Sequence, residues 1–465
     1  MLSARFHVRL PPFDFARAPF LVIWEATRAC ALACVHCRAE AIPHRDAREL
    51  TTDEARALID TVRRFGDPPP LLVFTGGDPL RRPDLVELVR HASARGLTVS
   101  LTPSATGAAT VDRLKALRDA GLARLAVSLD GATPEVHDAF RGVRGSHRHT
   151  LQILERARAL GIPLQINTTV CRRTVGELPA LVREVERWDV ALWALFFLIP
   201  VGRAVADQAL TAAEIESVLE WAAALATRVP FGIKTTEAPQ FQRVLARRRA
   251  GRALARTGPA EAIGRAPRAV TDGNGFVFVD HVGNICPSGF LPLPAGNVRT
   301  HDLIGVYRDE PLFRALREPD VLTGRCGVCE YRDRCGGSRA RAYAATGDPL
   351  AEDPGCAWQP GAAARVVAGG SDAALAPTRA DIDAALETVL DPELGMSVVA
   401  LGLVYGVTIT GGVVRLTMTL TAPGCPLHEV MTEWVRAAVR RVPGVEHVEV
   451  VLTFDPPWTP DRIRR

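Results

Sequence analysis

Seven of the ten cysteines in this chain fall into two groups whose spacings suit metal chemistry. The first group is Cys30-x3-Cys34-x2-Cys37, in a short loop after an apolar segment. Three thiolates can hold three irons of a cubane cluster and leave the fourth iron open to a chelating ligand, as a catalytic centre requires. The alternative is a zinc ion completed by His36. Because a histidine between two ligands is poorly placed to bind the same ion, the spacing favours an iron–sulfur cluster.

The second group, Cys326-x2-Cys329-x5-Cys335-x20-Cys356, supplies four thiolates and forms a closed set. A structural zinc site competes with a cluster for this set, because Cys-x2-Cys pairs commonly bind zinc. Of the single cysteines, we expect Cys171 to be a small core residue. Cys286 is a buried thiol, a substrate-facing residue or a ligand, and the sequence leaves these alternatives open.

A glycine-rich turn, Thr75-Gly76-Gly77-Asp78-Pro79, ends the predicted strand that follows the first cysteine group. Active-site residues of α/β barrels gather at such strand ends. Adjacent glycines let the backbone approach a ligand closely, and the Asp78 carboxylate can accept a hydrogen bond from an ammonium group. Alone, such a turn is weak evidence for a ligand-binding site, but a turn that follows the cysteine loop is specific evidence for one.

Length and composition limit the classes of protein to which this chain can belong. A chain of 465 residues predicts two or three domains, and 47% hydrophobic with 23% charged residues is typical of globular proteins. The formal charge of +4 is too small and too scattered to predict nucleic-acid binding. The longest apolar run, residues 190–201, is too short to span a bilayer, and residues 1–19 lack the apolar core of a signal peptide. We therefore expect a cytoplasmic protein with no membrane partner and with reduced cysteines.

The elements that must position these groups alternate along residues 21–235. Short apolar runs predict strands at residues 21–24, 71–74, 97–101, 125–129, 164–169, 192–199 and 231–234. Amphipathic segments between them predict helices, for example at residues 51–65, which open with Thr-Thr-Asp-Glu. This alternation is typical of parallel βαβ units, as in an α/β barrel or a doubly wound sheet.

The rest of the chain divides by composition. Residues 243–268 are basic and punctuated by Gly and Pro, which predicts a mobile connection or an exposed helix. Residues 270–360 are expected to form turns and short strands, and residues 361–378 an interdomain linker. Beyond the linker, helices at 379–390 and 427–442 and strands at 404–410, 413–420 and 445–453 predict a compact α/β unit, with a hairpin at Gly411-Gly412.

The cysteine loop and the Gly-Gly-Asp turn together resemble the radical SAM superfamily. The resemblance implies a partial (β/α)6 TIM-like barrel over residues 18–240, in which Cys30, Cys34 and Cys37 bind a 4Fe–4S cluster whose open iron chelates S-adenosylmethionine (SAM). The implied SAM contacts are His36 at the adenine, Gly76, Gly77 and Asp78 at the methionine amino group, Ser128 and Asp130 near the ribose, and Arg141 and Asn167 at the carboxylate and sugar. Strand-end or loop structure is the alternative interpretation of the last four.

Residues 326–356 resemble the auxiliary-cluster region called SPASM, which implies a SPASM-like or twitch-like extension over residues 241–360. By that resemblance, one auxiliary 4Fe–4S cluster is held by Cys326, Cys329, Cys335 and Cys356. The fuller SPASM pattern has a further cysteine where this chain has Arg339, so we do not expect a second auxiliary cluster.

Residues 379–460 resemble the small iron–sulfur assembly domain of the SufT and PaaD proteins, which implies a separate α/β domain. The functionally important cysteine of that family corresponds to Cys425, a candidate cluster-assembly thiol. It opens a helix, where the backbone N–H groups and the helix dipole favour a thiolate. A buried cysteine in a tight turn is the alternative.

Within the superfamily, LVIWEATRACALACVHCRAE and FTGGDPLRRPDL resemble the AhbD/AhbC/NirJ-like branch of tetrapyrrole-modifying enzymes of haem biosynthesis. The implied reaction of this oxidoreductase or decarboxylase is reductive cleavage of SAM to a 5′-deoxyadenosyl radical, which abstracts hydrogen from the substrate. Ferredoxin or flavodoxin is the implied reductant. We expect arginines of PSGFLPLPAGNVR and GGSRARAY to meet tetrapyrrole propionates. A SPASM-type peptide maturase is one alternative, and a non-catalytic cluster carrier is another, against which the intact cysteine loop argues.

Overall fold

The computed structural model describes residues 14–249, 269–361 and 377–463, apart from residues 390, 392, 393, 395, 411, 422–427, 441 and 443. Most of the predicted connection at 243–268, most of the predicted linker at 361–378 and Cys425 lie outside the described residues.

A ten-stranded sheet forms the larger part of the molecule, and its first seven strands are parallel neighbours in chain order. These strands are β1 (Leu21–Glu25), β2 (Leu71–Thr75), β3 (Val99–Leu101), β4 (Leu122–Ser128), β5 (Leu164–Val170), β6 (Leu192–Phe197) and β7 (Gly232–Thr236). The helices of this part are α1 (Thr52–Arg63), α2 (Leu85–Ala94), α3 (Val111–Asp119), α4 (Pro134–Arg141), α5 (Ser146–Ala159), α6 (Leu178–Arg187), α7 (Ala212–Leu225) and α8 (Gln240–Arg249). The predicted partial TIM-like parallel sheet is therefore confirmed.

Alternate side chains of the strands face different surroundings, as the pleat of a strand requires. On β1, Val22 and Trp24 are fully buried, whereas Leu21 and Ile23 line an internal cavity. Strand β2 repeats this alternation. The sheet thus has one side packed on helices and another that faces the cavity where ligands can bind.

The sheet continues beyond the seven parallel strands. β8 (Phe276–Val279) pairs in parallel with β1, and β9 (Asn284–Cys286) and β10 (Gly296–Asn297) add antiparallel strands at that edge. The sequence predicts short strands here but does not predict the helices α9 (Leu303–Asp309), α10 (Pro311–Arg317), α11 (Gly324–Gly327) and α12 (Arg339–Thr346). Each of them has at most eight residues, which is too few to give a clear helical periodicity.

The C-terminal unit has the predicted order of elements. α13 (Arg379–Leu386) precedes β11 (Val404–Thr410) and β12 (Val413–Met418), an antiparallel pair, and α14 (His428–Val439) leads to β13 (His447–Leu452), which pairs with β12 in parallel. Gly412 in the hairpin has a φ of +83°, a conformation that glycine adopts without strain. Helix α14 packs against α7 of the larger part. Within the described residues, no helix is long and apolar enough to cross a membrane.

Candidate active site

The first cysteine loop follows β1 and opens onto a cavity of about 600 Å³, which Cys30, Cys34 and Cys37 all line. The Sγ of Cys30 lies 3.2 Å from the Ser104 hydroxyl, and the Sγ of Cys34 lies 3.9 Å from Nη1 of Arg141. Burial raises the pKa of both thiols, and Arg141 opposes this for Cys34. Metal binding requires the thiolate form, so it releases the protons of these thiols. Three sulfurs on one cavity fit a cluster with one open iron.

The Gly-Gly turn holds the cysteine loop by direct backbone contact. The Gly77 N–H donates to the Thr27 carbonyl at 2.7 Å, and the Asp78 N–H donates to the Ala29 carbonyl at 2.7 Å. A Cβ on Gly76 would lie 2.3 Å from the Thr27 carbonyl oxygen, and one on Gly77 would lie 2.6 Å from that of Ala29. Both glycines also line the cavity. Glycine is therefore required at both positions to let the loop lie on the turn.

Asp78 does not face the cavity, which differs from the sequence-based expectation. Its carboxylate is fully buried and accepts hydrogen bonds from the Thr106 hydroxyl at 2.8 Å and from the N–H groups of Leu80 at 3.2 Å and Ser104 at 3.3 Å. Because these donors occupy both oxygens of the Asp78 carboxylate, the geometry does not support the expected hydrogen bond from a ligand ammonium group. Asp78 instead positions Ser104 beside Cys30.

Two of the predicted ligand-binding residues lie on neighbouring strands at the cavity wall. Ser128 ends β4 and pairs in register with Asn167 on β5, and both line the cavity. The Asn167 Oδ1 accepts from Nε2 of Gln165 at 2.7 Å, which leaves the Asn167 amide NH2 to donate to a ligand. Ser128 thus lies at the carboxyl end of β4, where ligands of parallel sheets bind, and Asn167 lies beside it in the middle of β5.

Asp130 and Arg141 form a buried ion pair in which only the arginine lines the cavity. Nε of Arg141 donates to Oδ2 of Asp130 at 2.7 Å, and the Thr169 N–H donates to Oδ1 at 2.7 Å. Burial alone would raise the pKa of Asp130, but the Arg141 guanidinium, the nearby His36 and His137 and the Thr169 N–H together outweigh burial, and the pKa is lowered. Asp130 is thus placed to orient Arg141, and a direct contact with a ribose does not follow from its position.

His36 lines the cavity with its ring stacked on Phe140, at 4.0 Å between centroids. Its Nδ1 is buried and has no hydrogen-bond partner among the described residues. Burial and the nearby Arg141 lower the pKa of His36 to about 3, so the imidazole is neutral. No three His, Cys, Asp or Glu side chains in the described part of the chain converge on a point where a single metal ion could bind.

The sequence reasoning missed several residues at the cavity. Ser104, after β3, contacts Cys30 and donates to the Gly77 carbonyl at 2.6 Å. Arg203, after β6, lines the cavity, and its buried Nε and Nη2 have no hydrogen-bond partner within the part of the chain that the structure describes. Its backbone N–H donates to the Cys37 carbonyl at 3.1 Å. Lys234 on β7 also lines the cavity. Single polar residues at strand ends have no characteristic spacing, so the position after a predicted strand was their one available signal.

The second cysteine group lies around a smaller cavity, which Cys326, Cys329, Cys335 and Cys356 line. Arg339, at the position of the missing SPASM cysteine, directs Nη2 to the Cys326 Sγ at 3.5 Å. Of the single cysteines, Cys171 is fully buried in the core, as predicted. Cys286 is buried, does not line the large cavity, and has its pKa raised to about 12 by burial.

The arginines expected to meet propionates do not line the large cavity, which corrects that expectation. Arg299 pairs with Glu54 at 2.6 Å near the surface. Arg339 donates to backbone carbonyls, and Arg341 pairs with the buried Asp353 at 3.1 Å. The cations that do line the cavity are Arg38, Arg124, Arg141, Arg203 and Lys234.

Comparison with known proteins agrees with this geometry. Residues 24–185 match the radical SAM superfamily, and residues 379–450 match the iron–sulfur cluster assembly protein family. The AdoMet-dependent heme synthase of Methanosarcina barkeri is 39% identical over 344 residues, which are 74% of this chain and 98% of that protein. The mycofactocin maturase MftC of Mycobacterium ulcerans is 34% identical over 365 residues, 75% of this chain and 90% of that protein.

Among solved structures, Streptococcus suis SuiB bound to S-adenosylmethionine shares the fold, with a TM-score of 0.58 at 14% identity over 74% of this chain and 78% of that one. The match to the heme synthase of Methanosarcina barkeri covers 98% of that protein. The chain therefore belongs to the radical SAM superfamily, which implies a 4Fe–4S cluster and SAM as its cofactors.

Proposed function

We propose that this protein is a radical SAM enzyme of haem synthesis that removes carboxyl groups from propionate side chains of an iron–coproporphyrin. The observation that carries the proposal is the 39% identity to an AdoMet-dependent heme synthase over 98% of that protein's length. The single cavity that joins the three-thiol loop to the carboxyl ends of the parallel strands supports it, because cofactor and substrate must meet there.

The residues present fit the two implied cofactors. Cys30, Cys34 and Cys37 would hold the cluster, and the cavity-lining Ser128, Arg141 and Asn167 would bind SAM. When bound together, cluster and SAM supply a 5′-deoxyadenosyl radical that takes a hydrogen atom from the substrate.

The chain's own residues orient these groups. The Arg141 guanidinium, fixed by Asp130, suits the carboxylate of SAM. The neutral His36 ring, held by Phe140, leaves its other edge for the adenine. The Gly76-Gly77 turn keeps the cysteine loop against the sheet. Apolar walls from β1 and β2 keep water away from the reacting atoms.

We also propose one auxiliary 4Fe–4S cluster at the second cysteine group. The four thiols around one small cavity support it. Arg243 supports it further, because this guanidinium lines the same small cavity and opposes the rise in pKa that burial gives Cys335 and Cys356. A cation beside four thiolates compensates the negative charge of a cluster. We propose ferredoxin or flavodoxin as the reductant.

The second candidate function is peptide maturation, which the 34% identity to the mycofactocin maturase MftC favours. Both candidates need SAM cleavage at the first cysteine group. They differ in substrate, because a maturase acts on a precursor peptide and a haem synthase on a porphyrin.

The test is anaerobic reconstitution followed by turnover with dithionite, SAM and iron-coproporphyrin III. We expect 5′-deoxyadenosine and haem from the wild-type protein and neither from Cys34→Ala, because the cluster loses one of three protein ligands. Cys171→Ala is the matched control, since Cys171 is buried in the core away from the cavity. Normal SAM cleavage by Cys34→Ala would contradict the proposed mechanism. Turnover of a precursor peptide with none of the porphyrin would favour the maturase.

The auxiliary site is tested in a variant with Cys30, Cys34 and Cys37 all changed to Ala. It should still reconstitute about one 4Fe–4S cluster, because the second group supplies four thiolates. Stoichiometric zinc, with no cluster absorption or EPR signal, would show that the second group is a structural zinc site.

A further inference from the structure

Arg339 is a buried arginine that contacts a cysteine of the second group. It is the first residue of α12 and is 2% exposed. Its Nη1 donates to the carbonyls of Pro349 at 3.0 Å and Ala351 at 2.7 Å, and its Nη2 donates to the Cys326 Sγ at 3.5 Å. The two backbone contacts fix the plane of the guanidinium, so its remaining nitrogen is held against the sulfur.

The positive charge of Arg339 has no carboxylate partner in the described part of the chain, because its hydrogen bonds there go to backbone carbonyls and to Cys326. The buried carboxylate of Asp353 already accepts from Arg341 at 3.1 Å and from the Gln240 amide at 2.6 Å. A buried charge is costly without an opposite charge, and the thiolate form of Cys326 supplies one.

The arginines that line the small cavity differ from Arg339 in this respect. Each of the three has a carboxylate partner: Arg243 with Glu216, Arg325 with Glu352, and Arg332 with Asp320. Their charges are compensated within the protein. Arg339 is therefore the arginine at the second cysteine group whose charge is directed to a sulfur.

Gly337 keeps space open for this contact. It lines the small cavity with a φ of +70°, and a Cβ there would lie 2.4 Å from Nη2 of Arg339 and 3.1 Å from the Cys326 Sγ. A side chain at this position would press on both the guanidinium and the sulfur. The backbone N–H of Asp353 donates to the same sulfur at 3.4 Å. The Cys326 Sγ thus accepts from two N–H groups, one of which is charged.

We propose that Arg339 raises the reduction potential of the auxiliary cluster through a charge-assisted N–H···S hydrogen bond to Cys326. The hydrogen bond is present in the structure, whereas its effect on a potential rests on the auxiliary 4Fe–4S cluster of the proposed function. Net charge and hydrogen bonds to the sulfurs set the potential of such clusters. Reduction adds one negative charge, so a fixed cation stabilises the reduced cluster more than the oxidised one, and burial limits the screening of this effect.

The test is an anaerobic redox titration of the reconstituted full-length chain, followed by EPR spectroscopy. The auxiliary-cluster signal is the one that remains when Cys30, Cys34 and Cys37 are all changed to Ala. In Arg339→Gln, the ratio of reduced to oxidised auxiliary cluster at a fixed solution potential should fall by about tenfold. This change corresponds to a potential lower by about 59 mV for a one-electron couple. Arg339→Lys keeps the charge and should give an intermediate potential.

Arg334→Gln is the matched control for the loss of one positive charge. Arg334 precedes Cys335, is exposed and does not line the small cavity. Because water and salt screen an exposed charge, its removal should leave the potential of the auxiliary cluster unchanged. An equal fall in Arg334→Gln and Arg339→Gln would show that the net charge of the region, and not the contact with Cys326, sets the potential.

A second measurement leaves Arg339 in place, because Arg339→Gln also loses the contacts with Pro349 and Ala351 and could prevent folding. Arginine labelled with 15N in its guanidinium group is incorporated into the chain that lacks the three cysteines of the first group. ENDOR spectroscopy of its reduced auxiliary cluster should show a 15N coupling. The coupling should persist in Arg243→Lys, which removes the labelled guanidinium that lines the small cavity.

The outcomes separate the role of Arg339 from the proposed function. A reduced cluster without the 15N coupling, or with equal potentials in Arg339→Gln and wild type, would overturn the role of Arg339 while the auxiliary cluster stands. Loss of the coupling in Arg243→Lys would assign it to Arg243 and would likewise overturn the contact from Arg339. Zinc in place of a cluster at the second cysteine group would overturn both the auxiliary cluster and the role of Arg339.

Discussion

Buried charged residues around the cavity are arranged so that one member of each pair faces the ligand space and the other holds it. Arg141 faces the cavity, and Asp130 behind it accepts from both Arg141 and the Thr169 backbone. Breaking such a pair costs about 3–5 kcal/mol, because the remaining charge stays buried without compensation. The acidic members of these pairs therefore fix the orientation of the arginines that line the cavity.

Glu237 permits a prediction of pH-dependent stability. Burial and the adjacent Asp272 raise the pKa of Glu237 well above its usual 4.5, so the folded protein holds this carboxyl protonated. The protonated Glu237 carboxyl makes its full contribution to the stability of the fold below pH 4.5. This contribution is lost as the pH rises through the pKa of Glu237 in the folded protein. Glu237→Gln should remove this loss, by about 1.4 kcal/mol for each unit of the pKa difference. The variant should therefore unfold at a higher temperature than wild type at pH 8 and match it near pH 4.

Glu186→Gln is the control for that measurement, because Glu186 is exposed on α6. It should leave the pH profile of thermal unfolding unchanged. If Glu237→Gln and the wild type lose thermal stability in parallel between pH 5 and pH 8, Glu237 is not protonated in the folded protein and the prediction is wrong.

At the residue level, the sequence predicted the position of the cavity-lining cysteines better than the orientation of the aspartate side chains. The spacing of Cys30, Cys34 and Cys37 defines a motif, and the structure brings all three to one cavity. Asp78 and Asp130 lie at strand ends beside ligand-facing residues, yet both are turned into the protein. A strand end and a carboxylate are visible in the sequence, but the direction of the side chain depends on donors from distant segments, such as Thr106 and Thr169.

Among the elements, the cysteine loop and the Gly-Gly turn act as one unit. The loop has few regular hydrogen bonds of its own, and the Ala29–Ile42 bridge and the contacts with Gly76 and Gly77 fix its position. The spacing of three sulfurs therefore depends on the absence of a Cβ in the neighbouring turn. This dependence explains physically why a glycine pair accompanies the cysteine motif.

Gly77→Ala should displace the cysteine loop. The new Cβ would lie 2.5 Å from the Arg28 carbonyl oxygen and 2.6 Å from that of Ala29, both of them backbone atoms that cannot rotate away. Overpacking of this kind costs about 1–3 kcal/mol. We expect lower iron content after reconstitution and a lower unfolding temperature. Gly107→Ala is the matched control, because a Cβ there meets nothing within 4 Å. Equal iron content in the two variants would show that the loop does not depend on the turn.

The sequence predicted long elements more reliably than short ones. All seven parallel strands lie at or beside the predicted positions, because the side of each strand that packs on the helices needs apolar residues. Helix α1 begins where Thr-Thr-Asp-Glu predicts, with a capping box between Thr51 and Glu54. Helices α9 and α10 depend on local capping, for example by Glu310, whose side chain accepts from the N–H groups of Leu312 and Phe313. Such contacts are too local to produce a periodic pattern.

For the molecule as a whole, we propose boundaries at 18–240 for the barrel, 241–360 for the auxiliary-cluster region and 379–460 for the assembly domain. The first two parts interlock, because β8 pairs with β1 and the buried Gln240 donates to Asp353 at 2.6 Å. The third part has its own three-stranded sheet and a contact between α14 and α7. A separate sheet favours independent folding of the C-terminal domain.

Truncation at about residue 370 tests what this domain does. A tethered assembly domain acts at high effective concentration, so its removal should lower the iron content of the protein isolated from cells. After full reconstitution in vitro, the truncated protein should still cleave SAM, because the described residues that line the large cavity all precede the truncation point. The measurements are iron per chain from cells and 5′-deoxyadenosine formation after reconstitution.

Cys425→Ala separates cluster assembly from loss of the α14–α7 contact, since truncation removes both. If the thiol takes part in assembly, Cys425→Ala should lower cellular iron content as truncation does, with no change in the unfolding temperature of the barrel. A loss of iron in the truncated protein alone would assign the effect to the contact with α7. Loss of SAM cleavage despite full iron content would show that the C-terminal domain takes part in catalysis. Unchanged iron content and activity in both variants would contradict a role of this domain in cluster assembly.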